Sequence, residues 1–186
     1  MNQSQITEWC HEIIRSQARK CGVYIDATMG KGNDTAFLCE LAGEDGKVYA
    51  FDIQEKALDA TRKRLEKDGL LDRAKLILDG HEHMEKYVQE DSADVICFNF
   101  GYLPGGDHSI ATCPETSVEA VKQGLKILKK GGMMSLCIYS GGDTGFEEKE
   151  ALLRFLKALP AKEYTVIVNE YYNRENCPPM PVFIFK

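Results

Sequence analysis

The sequence predicts an α/β fold built on a seven-stranded, mostly parallel sheet with a C-terminal antiparallel hairpin. Five short apolar runs alternate with amphipathic helical stretches, and this rhythm implies parallel strands joined by right-handed helical crossovers. Near the carboxyl end two apolar runs follow one another with no helix between them, which predicts the hairpin. With 186 residues and an apolar fraction of 44%, the chain is expected to form one domain over 1–186.

The elements follow in order from an opening helix over 4–20, in which Ile6, Trp9, Ile13 and Ile14 recur near helical spacing. The apolar runs are too short for helices and predict buried strands at 23–27, 48–51, 76–78, 93–98 and 133–139. The remaining stretches predict helices at 33–43, 54–68, 82–89, 114–129 and 145–158. Thr112 and Glu115 have the spacing of a capping box at the start of the fourth of these helices. The hairpin strands are predicted at 164–172 and 180–185, joined by a loop over 173–179.

Charge and composition limit the classes of protein that the chain can belong to. The formal net charge of −6 gives no overall attraction to nucleic-acid phosphates, so an RNA partner would need a local basic patch. No apolar stretch is long enough to span a membrane, and the polar start lacks the apolar core of a signal peptide. Seven cysteines without C-x-x-C spacing resemble neither a disulfide framework nor a zinc site. We therefore expect a cytoplasmic protein.

Two clusters of basic residues are the candidates for an RNA-binding patch. The first is formed by Arg62, Lys63 and Arg64, and the second by Lys122, Lys126, Lys129 and Lys130. The solvated faces of two amphipathic helices would give the same pattern, so both interpretations stay open.

The predicted order of elements narrows the fold. Five βα units closed by an antiparallel hairpin are the layout of the class I methyltransferases, which have a Rossmann-like sheet and bind S-adenosylmethionine (SAM). A nicotinamide-binding Rossmann domain more often continues with a sixth parallel strand. The sequence therefore favours the class I SAM-dependent methyltransferase fold, and a nicotinamide-dependent oxidoreductase remains the alternative with the same kind of sheet.

The stretch DATMGKGNDT, at 26–35, lies where the first strand meets the next helix. Ligands of doubly wound sheets bind at the carboxyl ends of strands, where Gly30 and Gly32 would let the backbone approach a ligand without a clashing side chain. Three short polar residues follow at the helix start, where such side chains can cap free N–H groups or face the ligand. They are Asn33, Asp34 and Thr35.

Acidic and histidine residues follow the first three strands. Asp26 would be costly at the end of a buried strand unless it were paired, and SAM offers an ammonium and a sulfonium group where a pyrophosphate would be repelled. Asp52 could accept hydrogen bonds from both ribose hydroxyls, a role that NAD sites share. Asp79, Gly80 and His81 fall where the adenine of SAM would lie. His81 and His83 are two residues apart, unlike the histidines of H-E-x-x-H, so we expect no metal and place them in solvent or at the adenine edge.

The sequence NFGY, at 99–102, ends the fourth strand beside the expected position of the methyl group. Methyltransferases that act on amines commonly carry Asn or Asp there, then two prolines and an aromatic residue. The Asn99 side-chain oxygen and the next backbone carbonyl could accept the amine's hydrogens and aim its lone pair at the methyl group, while Tyr102 packs on a planar substrate. Because the prolines are absent, a plain turn with Phe100 facing the core stays open.

The loop continues as LPGGDH, in which Gly105 and Gly106 predict a mobile or tightly bent lid. An aliphatic amine must lose a proton before it attacks, because its pKa in water is about 10.4. Three residues could accept that proton, and a loop-capping aspartate is the alternative. They are Asp34, Asp107 and His108.

Four motifs together resemble the YtqB-like rRNA methylase family, which includes the MnmM tRNA wobble-uridine methyltransferases. They are DATMGKGNDT at 26–35, FDIQ at 51–54, DGHE at 79–82 and NFGYLPGGD at 99–107. The resemblance implies SAM-dependent methylation of the aminomethyl group of 5-aminomethyl-2-thiouridine at the wobble position, in the anticodon region of tRNA, by a homodimer. It also implies that Tyr102 and its loop face the modified uridine. The residues that it implies for SAM contact are Asn33, Asp34, Asp52, Gln54 and His81.

Three other functions remain open on the sequence. The first is methylation of rRNA, which the name of the family indicates. The acidic balance, and the lack of an appended RNA-binding domain, would suit a small-molecule amine methyltransferase. A non-catalytic binding module would have to explain why the glycine loop and the NFGY stretch both fall at the carboxyl ends of strands.

Overall fold

The computed structural model describes residues 3–18, 21–100, 113–139, 145–174 and 178–186. In this part of the chain seven strands form one sheet. They are β1 (Val23–Asp26), β2 (Lys47–Asp52), β3 (Ala74–Leu78), β4 (Ala93–Phe100), β5 (Leu128–Ile138), β6 (Thr165–Val168) and β7 (Met180–Phe185). The order across the sheet is β3-β2-β1-β4-β5-β7-β6. Strands β1 to β5 pair in parallel, while β7 pairs antiparallel to both β5 and β6, as predicted.

Helices connect the strands and cover both faces of the sheet. They are α1 (Gln3–Gln17), α2 (Asn33–Ala42), α3 (Glu55–Asp68), α4 (Pro114–Ile127) and α5 (Gly145–Lys157). The predicted helix at 82–89 is instead a short 3-10 helix, His81–Lys86, and a second 3-10 helix spans Leu71–Arg73. The predicted capping box at α4 is wrong in position, because the N-cap residue is Cys113 and its side chain makes no capping hydrogen bond. In the described part of the chain, no helix has both the length and the apolar character needed to cross a bilayer.

Alternation along β4 separates two hydrophobic cores. Ile96 and Phe98 lie in the core that α4 and α5 cover, whereas Val95 and Cys97 lie in the core that α1 and α2 cover. Successive side chains of a strand point to opposite faces, so Asn99 belongs to the α1 and α2 side. Helix α1 packs there through a stripe at helical spacing, formed by Ile6, Cys10 and Ile14.

The strand order reverses between β1 and β4, which lie side by side in the sheet. From β1 the chain proceeds outward through β2 and β3, then returns to place β4 on the other side of β1. In open α/β sheets this switch point leaves a crevice at the carboxyl ends of the two strands, where ligands bind. The ends of β1 and β4 carry Asp26 and Asn99.

Two strands differ from their predicted limits. Strand β5 begins at Leu128 rather than at 133, because Leu128 pairs with Ala93 before a register shift, and the backbones of Gly131 and Gly132 bond to Lys186 after β7. Strand β6 ends at Val168, well short of the predicted 172. Its last register partner is Val182, and the neighbouring Pro181 has no N–H to extend the ladder.

Candidate active site

The loop after β1 is held tightly against the ends of β1 and β2. The backbone N–H of Met29 donates to the carbonyl of Phe51 at 2.8 Å. Gly30 and Gly32 have φ of 50° and 75°, in the left-handed region that glycine adopts without strain. A Cβ on Gly32 would lie 2.9 Å from the Thr61 hydroxyl oxygen, so α3 leaves no room for a side chain there. The turn therefore requires glycine at Gly32 for both its conformation and its space.

The three polar residues that begin α2 do not cap it, which corrects one of their two predicted roles. The N-cap residue is Gly32, and the helix start has no side-chain cap. Each polar side chain instead binds a side chain from another element. Asn33 accepts from Arg64 of α3, Asp34 accepts from Asn99 of β4 at 2.6 Å, and Thr35 donates to Asp26 of β1 at 2.6 Å.

Asp26 is fully buried and bonded within the chain. Its Oδ1 accepts from the N–H of Thr28 at 3.1 Å, and its Oδ2 accepts from the Thr35 hydroxyl at 2.6 Å. Burial, reinforced by the charge of Asp34, raises the pKa of Asp26 to about 7. Asp26 therefore ties the loop to the start of α2. Its predicted pairing with a cofactor ammonium group stays a prediction.

Asp52 holds the other side of the same loop. Its Oδ2 accepts from the N–H of Gly30 at 3.1 Å, and its Oδ1 accepts from the N–H of Gln54 at 2.9 Å. Partial burial raises the pKa of this carboxyl group. Each carboxylate oxygen has a second lone pair, so Asp52 can also accept from ribose hydroxyls at the carboxyl end of β2.

Two exposed apolar side chains flank Asp52, and the sequence interpretation missed both. Ile53 is 60% exposed and Leu78 is 47% exposed. Leu78 is the register partner of Asp52 across β2 and β3, so both apolar residues lie at the carboxyl edge of adjacent strands. A single exposed leucine is ordinary, but this pair offers apolar surface that a flat base could cover. The signal was present in the sequence, because each residue directly adjoins a strand-ending aspartate.

The end of β3 arranges its polar groups around Asp79. His83 and the Tyr87 hydroxyl contact the carboxylate at 2.8 and 2.9 Å, and the bond from His83 is the main reason that its pKa falls to about 2. His81 is only 9% exposed and contacts the carbonyl of Ala27 at 3.3 Å. Burial lowers the pKa of His81, so it is not a solvent-facing histidine. Gly80 is also buried.

Asn99 lies at the switch point with both its backbone and its side chain bound. Its N–H donates to the Thr28 hydroxyl oxygen at 2.8 Å, and its Nδ2 donates to Asp34 Oδ2 at 2.6 Å. Phe100 is fully buried and stacks on Phe98 at 5.0 Å, so this residue does face the core. The side chain of Asn99 points away from that core and is half-buried.

Asp34 has a second partner that the sequence interpretation did not find. His11 of α1 contacts Asp34 Oδ1 through Nε2 at 2.8 Å, 23 residues away in sequence. Nothing in the helical pattern of 4–20 singled out this histidine. Only the packing of α1 on the sheet brings it to the site.

A small cavity lies beside Asp34 and Asn99, between α1, α2 and the ends of β4 and β5. Its volume of about 10 Å³ is on the order of one water molecule, and its lining includes Cys10 and Cys137. Burial raises the pKa of each of these two thiols to about 12, so they are neutral. Cys97, which also lines the cavity, is buried too.

Several predicted site residues lie outside the described part of the chain. They are Tyr102, Gly105, Gly106, Asp107 and His108. Their roles as substrate platform, lid and proton acceptor stay predictions. Among the described residues, no three His, Cys, Asp or Glu side chains form a group that could hold a metal ion.

The edge formed by β1, β2 and β4 is acidic and suits a cationic, adenosine-containing ligand. Asp26, Asp34 and Asp52 lie on it, and the charges of Asp34 and Asp52 both raise the pKa of Asp26. SAM carries an ammonium and a sulfonium charge, and its ribose and adenine would find the Asp52 carboxylate and the apolar surface of Ile53 and Leu78. The residues present therefore fit this cofactor.

Comparison with known proteins agrees with this assignment. A family model described as "Putative rRNA methylase" matches residues 48–185. A chloroplastic tRNA (mnm(5)s(2)U34)-methyltransferase from Arabidopsis thaliana is 35% identical over 199 residues, covering 99% of this chain and 70% of that protein. Ribosomal RNA small subunit methyltransferase H from Streptococcus mutans is 29% identical over 100 residues, but the match spans 52% of this chain and only 32% of that relative.

Solved structures extend the comparison to the fold. A protein from Clostridium thermocellum described as "putative rRNA-methylase" superposes with a TM-score of 0.94 at 46% identity, covering 97% of this chain and 96% of that one. SMU.1697c from Streptococcus mutans, described as "a putative methyltransferase" in complex with SAH, gives 0.86 at 41% identity, covering 96% of each chain. A SAM-dependent O-methyltransferase from Thermotoga maritima gives 0.67 at 16% identity over 98% of this chain and 64% of that one, and it shows the fold alone.

These matches confirm the predicted class I, Rossmann-like methyltransferase fold. The family model covers more than half of the chain, and the Arabidopsis relative is matched along nearly all of it. The chain therefore belongs to the rRNA methylase family of methyltransferases.

Proposed function

We propose that this protein transfers the methyl group of SAM to the aminomethyl nitrogen of 5-aminomethyl-2-thiouridine at the wobble position of tRNA. The 35% identical relative is named for this wobble nucleoside, whereas the family is named for rRNA. The site favours an amine acceptor, because its only described polar group at the end of β4 is an amide held ready to accept hydrogen bonds.

The orientation of Asn99 is the observation that carries the proposal. Its Nδ2 donates to the carboxylate of Asp34, which fixes which end of the amide is nitrogen. The Oδ1 atom therefore faces away from Asp34 and can accept a hydrogen from an amine at the switch point. An accepted hydrogen turns the nitrogen lone pair in a defined direction, which is the geometry that a methyl transfer needs.

The cofactor side of the site follows from the groups on β1 and β2. When bound, SAM supplies an electrophilic methyl group on a sulfonium. Asp52 would accept the ribose hydroxyls, with Gln54 and the Gly30 loop held beside it by hydrogen bonds. Gly80, His81 and the apolar pair Ile53 and Leu78 would contact the adenine.

Residues of this chain would take the proton from the substrate amine. The amine must be neutral when its nitrogen forms the new N–C bond, while the bond from the methyl group to the sulfur of SAM breaks and SAH leaves. Afterwards the cationic secondary amine can lose its proton to solvent. Asp34, Asp107 and His108 are the proposed acceptors of the first proton, of which Asp34 lies next to Asn99.

The decisive experiment measures methyl transfer from tritiated SAM to total tRNA purified from a strain that lacks this gene. Transfer is expected, and nucleoside mass analysis should show 5-methylaminomethyl-2-thiouridine as the product. Ribosomal RNA from the same strain serves as the second substrate. Transfer RNA from the parent strain is the control, because it already carries the modification. Methylation of rRNA but not of tRNA would replace the proposed substrate with the one in the family's name.

A small-molecule acceptor would give a different dependence on salt. RNA binding that neutralises several phosphates weakens steeply as salt is raised, whereas binding of a free amine does not. Arg62 and Lys63 are exposed on α3, and Arg64 of the same helix binds Asn33 at the edge of the site. We expect this face to contact the RNA. Activity on tRNA that is insensitive to salt would count against an RNA substrate.

Location and assembly are proposed together with the substrate. We propose that the protein acts in the cytoplasm, where thiols stay reduced, since the described cysteines are free and four of them are buried. The anticodon region of tRNA would be its partner, and the resemblance implies a homodimer. Light scattering coupled to size-exclusion chromatography measures the mass in solution, and a monomer across the working concentrations would refute the dimer.

A further inference from the structure

Helix α1 precedes the five βα units, yet one of its side chains reaches the proposed acceptor site. His11 Nε2 lies 2.8 Å from Asp34 Oδ1, and the two side chains are 14% and 13% exposed. The other oxygen of Asp34 accepts from Asn99 Nδ2 at 2.6 Å. A carboxylate has only acceptors, so both partners must present an N–H to it. His11, Asp34 and Asn99 therefore form one continuous chain of hydrogen bonds.

The ring of His11 is fixed by stacking as well as by this bond. It lies parallel to the ring of Phe37, with centroids 3.7 Å apart and an interplanar angle of 7°. Phe37 follows Asp34 by three residues on α2, so both present themselves on one face of that helix. The guanidinium of Arg15, also on α1, lies 4.9 Å from the centroid of Phe37. His11 thus holds Asp34 from a position that has little freedom of its own.

The bond from His11 has a consequence for the amide at the end of β4. With both oxygens held, the Asp34 carboxylate cannot rotate without losing a hydrogen bond. Its Oδ2 then stays aimed at Asn99 Nδ2, and the amide oxygen stays aimed at the switch point. Without His11, the carboxylate could turn toward water, and the amide would lose its fixed direction. Methyl transfer is sensitive to such errors, because misplacement by about 1 Å can slow a reaction about a hundredfold.

We propose that His11 is a positioning residue for methyl transfer, which holds Asp34 so that the oxygen of Asn99 points at the acceptor nitrogen. This inference rests on the proposed function, because it assigns His11 a role in the amine transfer described there. His11 takes no proton in this role. It acts on the reaction only through Asp34 and Asn99.

The test compares three variants with the wild type. His11→Ala removes the donor, and His11→Gln keeps an N–H that can reach the same oxygen. Glu8→Ala is the control, because Glu8 is an exposed residue of the same helix. The readouts are the single-turnover rate with saturating tritiated SAM and total tRNA from the strain that lacks the gene, the SAM Kd by calorimetry, and Tm. His11→Ala is expected to lower the rate about tenfold or more with a SAM Kd within about twofold of the wild type. His11→Gln should recover most of the rate, and Glu8→Ala should have the rate of the wild type.

A double-mutant cycle separates positioning from a general effect on folding. Because His11 acts through Asn99, His11→Ala should slow the Asn99→Ala protein less than about twofold further, so the two losses should not add. Additive losses would overturn the inference, as would a wild-type rate in His11→Ala or a His11→Gln protein as slow as His11→Ala. In those cases the wild type still methylates the tRNA and the proposed function stands. If the wild type transfers no methyl group to this tRNA, both the proposed function and the inference are refuted.

Discussion

Replacing Asp52 by alanine tests the cofactor side of the site. The change would remove the hydrogen bonds that shape the loop and also the acceptor for the ribose hydroxyls. Asp52 already accepts from Gly30 at 3.1 Å and from Gln54 at 2.9 Å without any ligand. Those bonds set the shape of the loop in the free protein. The remaining lone pairs are the ones that ribose hydroxyls would use.

The expected loss of affinity follows from the charged hydrogen bond to ribose. A hydrogen bond to a charged group contributes about 1.5 to 3 kcal/mol, and about 1.4 kcal/mol changes a Kd tenfold. Asp52→Ala should therefore weaken SAM binding about 10- to 150-fold. Asp52→Asn keeps one acceptor oxygen, but its amide nitrogen cannot accept from Gly30. Its Kd for SAM should therefore lie between those of the wild type and Asp52→Ala.

Calorimetric titration with SAM and with SAH measures these affinities, and Tm reports whether the loop change also unfolds the protein. Asp59→Ala is the matched control, because Asp59 is an exposed carboxylate on the neighbouring helix α3. It should bind SAM as the wild type does. If folded Asp52→Ala protein binds SAM with unchanged affinity, the cofactor is not placed by this carboxylate.

Three further predictions address the acceptor, the buried charge and the glycine turn. Asn99→Ala should slow single-turnover methyl transfer about tenfold or more while the SAM Kd stays within about twofold, because the amide orients only the acceptor. The pKa of Asp26 is raised from 3.8 to about 7, so folded protein keeps a proton that the unfolded chain releases, and the wild type loses stability as the pH rises between about 4 and 7. The Tm of Asp26→Asn minus that of the wild type should therefore increase across this window. Gly32→Ala should lower Tm more than Gly69→Ala, since both glycines have the left-handed αL conformation but only Gly32 has a neighbour, Thr61, within 3.0 Å of the added Cβ.

Each of these predictions has a result that contradicts it. A large loss of SAM affinity in Asn99→Ala would place the amide in the cofactor site instead. Parallel Tm curves for the wild type and Asp26→Asn from about pH 4 to 7 would mean that Asp26 does not hold a proton in the folded state. Equal losses of Tm in the two glycine variants would show that α3 yields to the added methyl group and that backbone strain alone determines the cost.

The sequence predicted the sheet well because its strands are signalled locally. Apolar runs bounded by glycine and aspartate located β1, β2, β3, β4 and β7 to within three residues, and the hairpin was predicted from the missing helix. The errors lie where long-range pairing overrides local composition. Backbone bonds to Ala93 and Lys186 extend β5 through a polar, glycine-rich stretch, and Pro181 on β7 shortens β6.

Only part of the candidate site could be predicted from such local signals. Asp52 and Asn99 end their strands, so their positions follow from the alternation of elements. The hydrogen bond from Thr35 to Asp26 could not be predicted in this way, because Thr35 is on the next helix. The contact of His11 with Asp34 could not be predicted, since it depends on how α1 packs across the sheet rather than on any pattern within α1.

Several features that cost stability when taken alone meet at the carboxyl ends of β1, β2, β3 and β4. They are the fully buried Asp26, the exposed Ile53 and Leu78, and the polar amide of Asn99 at the end of a buried strand. Comparable features occur elsewhere in the described chain, among them the buried Glu148 and the exposed Phe146, so the site is marked by how its groups are bonded together. A fold selected only for stability would have replaced Asn99 with an apolar residue to match the core behind it. The chain instead commits Asp34 and a histidine from α1 to hold that amide, which is the cost of orienting a substrate.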